Sequence, residues 1–150
     1  AMSYAAMANG GKVWEPYVVR EIRDPQGNLV ELNTPTLKND VELDPTNVSR
    51  LLTDLNRVVT RGTAASAFRG FGESLFDVGG KTGTGQSIAA KDNHAWFSGI
   101  APLSDPRYSV VVLIDEGGSG GAVAAPVARQ IMQYLMGEDL DPIVVGESAQ

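Results

Sequence analysis

The sequence predicts an α+β domain, an antiparallel sheet flanked by helices. Three observations carry that expectation. Apolar residues Val48, Leu51, Leu52, Leu55, Val58 and Val59 fall at i, i+3, i+4, i+7, i+10 and i+11, one face of a helix. Three strand-like runs follow late in the chain, "VGGKTGTG", "HAWFSGIAP" and "YSVVVLIDEG". Their links are too short for parallel crossovers, so the strands pair antiparallel. With 150 residues the chain has the size of one domain and can bury a core.

Each element has its own local reason. "AMSYAAMANGGK" is helical over residues 1–8 and stops at Asn9-Gly10-Gly11, where a glycine accepts φ > 0. It is either a first helix or the middle of a larger domain's helix, since no cap precedes it. Residues 17–23 and 29–32 read as the strands of a hairpin joined by Asp24-Pro25-Gln26-Gly27-Asn28. "NTPTLKND" reads as a polar loop. Asp44-Pro45-Thr46 starts the amphipathic helix, and Arg61-Gly62 ends it with a cation and a glycine. "GTAASAFRGFGESLF" reads as a small-residue, glycine-broken connection into the first late strand, which starts near Val78. Ser104-Asp105-Pro106-Arg107 turns the second strand into the third. "GGSGGAVAAPVARQIMQYLM" is a glycine-rich link into a final helix, with Val127, Ile131, Tyr134 and Leu135 expected on its buried face. Residues 137–150 form an acidic tail expected to be loosely held. A three-stranded sheet leaves an edge that needs covering.

Composition narrows the function classes. A net charge of −6 argues against nucleic acid as a partner and offers no polybasic patch for a membrane surface. No run approaches the roughly 20 apolar residues of a transmembrane helix. The first residues do not read as a signal peptide, which needs a basic stretch before an apolar one. Without cysteine, disulfides, thiolate catalysis and cysteine zinc sites are excluded. One histidine, His94, cannot build a multi-histidine metal site, and its place before Ala95-Trp96-Phe97 reads as a structural residue at a strand start.

The chemistry concentrates in "DVGGKTGTGQ". Gly80-Lys81-Thr82 resembles the end of a phosphate-binding loop, but the position that should hold the first glycine is Leu75, and no helix follows Thr82. No Gly-x-Ser-x-Gly elbow exists, and Ser98 and Ser119, in a strand and a linker, are poor nucleophile candidates. What remains is Lys81-Thr82-Gly83-Thr84 on a strand beside glycines, where a backbone lies open to an extended peptide. Lys81 offers a positive field there, Thr82 and Thr84 offer hydroxyl donors, and Gly83 leaves room. A solvent-facing lysine on a glycine-rich turn is the plainer alternative.

Lys81-Thr82-Gly83 resembles the Lys-Thr-Gly box of penicillin-binding proteins and serine β-lactamases. The wider context is more specific. "YAAMANGGKVWEPYVV", "VVTRGTA", "GGKTGTGQ", "HAWFSGIAP", "YSVVVLIDEG" and "AAPVARQIM" are similar in order and spacing to the transpeptidase domain of bacterial D,D-transpeptidases, most like the class B, monofunctional enzymes. The resemblance implies a β-lactamase/transpeptidase-like fold, with residues 1–136 as the C-terminal part of that domain. It implies that Lys81 and Thr84 are catalytic residues, the Thr84 N–H being one of two oxyanion-hole donors. Thr82, Gly83, Thr84 and Gln86 would bind substrate. No metal or organic cofactor is implied.

The family also uses a Ser-x-x-Lys, carrying the acylated serine, and a Ser-x-Asn. No serine here has lysine at +3 or asparagine at +2; Ser87 and Lys91 are four apart. The resemblance places both motifs before the YAAMANGG helix. The expectation is therefore the C-terminal part of a transpeptidase domain, inactive alone and partnered non-covalently by an N-terminal fragment carrying the serine. Its ligands would be the peptidoglycan stem peptide and β-lactam antibiotics. Its place would be the periplasm or the outer face of the cell membrane, the parent protein being anchored by an N-terminal transmembrane helix, with no membrane contact by this segment. A non-catalytic homologue serving as a scaffold, or a D,D-carboxypeptidase or β-lactamase, are the alternatives.

Overall fold

The computed structural model describes residues 1–71, 77–87 and 91–137. In chain order the elements are helix α1 (Met2–Ala8) and strands β1 (Lys12–Trp14), β2 (Glu21–Arg23), β3 (Leu29–Leu32) and β4 (Leu37–Asp40). Helix α2 (Pro45–Thr60) follows, then strands β5 (Gly79–Gly85), β6 (His94–Ala101) and β7 (Tyr108–Ile114). A π-helical turn (Gly120–Ala124) runs into helix α3 (Ala125–Met136).

Three antiparallel strands in the order β5-β6-β7 form the main sheet, with helices packed against it. The expected α+β architecture is thus present. Alternation along each strand sends Ala95, Phe97, Val110 and Val112 to one face. There they meet Ala124, Ala125, Ala128 and Met132 together with Phe68 and Phe71, all buried. The Phe68 ring stands 5.5 Å from those of both Phe71 and Phe97, within the range of favourable aromatic pairing. Gly80 and Gly99 face each other across β5 and β6. A Cβ on Gly80 would lie 2.3 Å from the Phe97 ring tip, and one on Gly99 would lie 2.5 Å from the Met132 methyl.

Helix α2 starts as its sequence dictates. The Asp44 carboxylate accepts the Asn47 N–H at 2.9 Å, and Pro45 occupies the first turn, where no N–H is needed. Leu55 and Val59 are buried, while Leu51, expected on the same face, is exposed. Asn56 donates to the Val78 carbonyl at 2.8 Å, which ties α2 to the start of β5.

Three expectations are corrected. The stretch read as a polar loop, residues 33–40, contains β4, which pairs with β1 in the register Lys12↔Asp40 and Val13↔Asn39. Side-chain pattern gave no sign of this, because both strands are almost wholly exposed. The pairing is set by backbone: Gly11, at φ +102°, brings its carbonyl within 3.0 Å of the Val41 N–H, and the Val41 carbonyl leaves no room for a Cβ there. The first hairpin strand, expected over 17–23, forms only at Glu21–Arg23; among the described residues nothing covers Val18, which is fully exposed.

The connection after α2 is present as read, without helix or strand among its described residues, and it supplies two core rings, Phe68 and Phe71. Arg129 of α3 holds that segment by donating to the Ala67 and Arg69 carbonyls. Last, α3 buries Ala125, Ala128 and Met132, whereas Ile131 and Tyr134 point outward. Alanine, with the space above Gly99, lets this face approach the sheet more closely than a face carrying Ile and Tyr. Val127 and Leu135 remain packed at the edge of the core as expected. The predicted tail beyond Gly137 and the end of the connection at 72–76 lie outside the described residues.

Candidate active site

Glycine-rich β5 is the outermost strand of its sheet and carries Lys81, Thr82, Gly83 and Thr84 in succession. Alternation puts Lys81 and Gly83 on one face and Thr82 and Thr84 on the other. Lys81 and Thr84 are exposed, and Gln86 is exposed just past the strand end. The Lys81 ammonium folds along the strand and donates to the Thr82 carbonyl at 2.6 Å. Ser98 stands directly across from Lys81 in the β5–β6 register. All five sequence-predicted residues are therefore gathered on one strand edge and its exit.

The glycines of β5 are used by neighbours. Gly83 lies under Gly120 so closely that a Cβ on Gly120 would be 2.2 Å from the Gly83 carbonyl oxygen. On the other face the half-exposed Trp96 side chain runs beside Gly83 and Gly85. Thr82 has a partner that sequence reading did not single out: its hydroxyl lies 2.7 Å from the hydroxyl of Thr63, just past the end of α2. The motif "RGTA" signals a helix end, but no one-dimensional pattern places it against β5.

At the far end of the strand, His94 is the first residue of β6 and pairs with Gly85. Its Nδ1 is 2.5 Å from an Asp115 carboxylate oxygen. Lys91 forms an ion pair with Glu116, whose backbone takes the left-handed conformation at φ 52°. These links tie the β6 entry to the β7 exit, in keeping with a structural histidine. Among the described residues no group of three or more His, Cys, Asp or Glu is placed to hold a metal ion. A separate cleft of about 690 Å³ opens between the α1 end, α2 and the β6–β7 turn, and Lys81–Thr84 do not line it.

The order of elements around this strand is matched elsewhere: residues 1–133 fit the family model of the penicillin-binding protein transpeptidase domain. The chain belongs to this family. Stage V sporulation protein D of Bacillus subtilis is 34% identical over 144 residues, which is 89% of this chain and 22% of that protein. Among solved structures, the D,D-transpeptidase domain of a peptidoglycan glycosyltransferase from Eggerthella lenta superposes with a TM-score of 0.71 at 30% identity, over 91% of this chain and 31% of that one. Penicillin-binding protein A from M. tuberculosis, solved as a ceftriaxone acyl-enzyme complex, gives 0.70 at 26% identity, covering 85% and 29%. The chain spans about a quarter of the length of the curated relatives it matches.

Proposed function

We propose that this chain provides the Lys-Thr-Gly wall of a peptidoglycan D,D-transpeptidase active site, in a class B penicillin-binding protein that cross-links stem peptides through an acyl-serine. The observation that carries the reading is Lys81-Thr82-Gly83-Thr84 on an open outermost strand, within a chain of the transpeptidase family. An extended stem peptide adds to that edge by backbone pairing, which glycines leave unobstructed. Lys81 supplies a positive field for the substrate carboxylate and for the hydroxyl network around the nucleophile. Thr82 and Thr84 donate hydroxyl hydrogen bonds to that carboxylate, and Gln86 lines the cleft beyond.

The Thr84 N–H acts as an oxyanion-hole donor, a contact whose loss costs about 2.7–4 kcal/mol in comparable sites. The acylated serine, its lysine and the Ser-x-Asn belong to the remainder of the domain, residues 1–136 being its C-terminal part and 137–150 a tail. β-Lactams acylate that serine as substrate mimics, as supported by the acyl-enzyme complex of the M. tuberculosis relative. The site works outside the cytoplasmic membrane, in a protein anchored by a transmembrane helix elsewhere in its sequence. Among the described residues no helix is long and apolar enough to cross a membrane.

The test is acylation of the full-length protein by labelled penicillin. Label is expected on the segment carrying the Ser-x-x-Lys, and Lys81→Ala lowers the acylation rate about 100-fold or more while the fold persists. Label attached within residues 1–150, or a Lys81→Ala protein that reacts normally, would overturn the reading.

A further inference from the structure

Thr82 occupies the middle of the candidate box, yet its hydroxyl is already engaged. A threonine hydroxyl has one proton to donate and two lone pairs to accept with. With the Thr63 and Thr82 oxygens 2.7 Å apart, a single proton lies between them and either residue can supply it. The direction decides what Thr82 offers a ligand. If Thr82 donates to Thr63, only lone pairs are left for a ligand, and these repel a carboxylate. If Thr63 donates, the Thr82 proton is free for the ligand and its O–H is polarised by the bond it accepts.

The surroundings hold Thr63 in place for that task. Past the α2 end, the Ala64 N–H bonds back to the Val58 carbonyl at 3.1 Å, so the chain wraps tightly around Gly62. From the opposite side, Gly121 abuts the Thr63 carbonyl, with room for a Cβ denied by an oxygen at 2.4 Å, and it also faces the Thr82 methyl. Three elements thus converge on one pair of hydroxyls.

We infer that Thr63 is a positioning residue for carboxylate recognition: it donates its hydroxyl proton to Thr82, so that Thr82 donates its own to the carboxylate of the stem peptide or β-lactam. The inference rests on the transpeptidase reading above and adds to it a residue outside the Lys-Thr-Gly box.

The test measures acylation rate constants of the full-length protein with benzylpenicillin and with its methyl ester, which lacks the carboxylate charge. Thr63→Val, close in shape but without a donor, is expected to slow the free acid about tenfold and the ester by less than about twofold. Thr63→Ser, which keeps the hydroxyl, restores the free-acid rate. Equal slowing of acid and ester would mean general loosening of β5 and would overturn the inference. So would a normal Thr63→Val protein in which Lys81→Ala still abolishes acylation, a result that leaves the transpeptidase reading intact. A wild-type protein that neither compound acylates would overturn both.

Discussion

Strands β6 and β7 and strands β2 and β3 are both antiparallel neighbours rich in Val, Ile and Leu, but only the first pair buries side chains. Ala95, Phe97 and Ile100 are inaccessible to solvent, whereas Leu29, Val30 and Leu32 of β3 are all more than half exposed. Strand composition is therefore not what separates the two. The main sheet has a helix and two phenylalanine rings to close one face, and the hairpin has neither among the described residues. Its order comes instead from the turn. The Asp24 carboxylate accepts from the Gln26 and Asn28 N–H groups and from the Asn28 side chain, at 2.8 to 2.9 Å. Those bonds, led by the Asn28 side chain, hold the Asp24 carboxyl below its ordinary pKa. Because the shift is downward, whatever support the ionised carboxylate gives the turn is present at neutral pH and lost on acidification through the lowered value.

Substitutions sharpen the contrast in order of size. Phe97→Ala removes the ring that fills the space beneath Gly80 and touches Phe68, so a loss of about 3–5 kcal/mol is expected in denaturant unfolding of the full-length protein. A loss below about 1 kcal/mol would show that this face of the sheet is not the organising core. Asp44→Ala deletes the α2 cap; the expected cost is about 1 kcal/mol, read as a shift in the same transition. Val30→Thr, on the open hairpin, should change stability by less than about 0.5 kcal/mol. A larger effect would reveal that the hairpin packs against another part of the full-length protein, and the two regions would then be alike.

The same contrast explains what the sequence made legible. β6 and β7 were readable because a buried apolar face leaves its mark as residue pattern, and α2 because its cap and stripe are both local. β1 and β4 were not, since their pairing depends on the Gly11 backbone and no apolar alternation records it. On α3 two apolar stripes compete, and which one turns inward is decided by Gly99 on a strand some thirty residues away, beyond the reach of helical periodicity. In the candidate site, the strand-borne Lys81-Thr82-Gly83-Thr84 group was legible as a motif. Thr63 lies in the quoted segment VVTRGTA, but its contact with that group, across 19 positions of sequence, was not legible. The motif names the residues proposed to face a ligand, whereas the supporting contact is made by the fold.

The glycines at the start of β5 also fix where the strand sits. A strand of Gly and Thr carries little side-chain information to fix its register, and a slide of two positions would leave each residue on its original face. Here the pair Gly80 and Gly99 acts as a detent. A two-residue slide would push Val78 or Thr82 into the notch against the Phe97 ring, where not even a methyl group fits. The interior thereby indexes the position of Lys81 along the open edge to within one step of the strand, although Lys81 itself touches none of it.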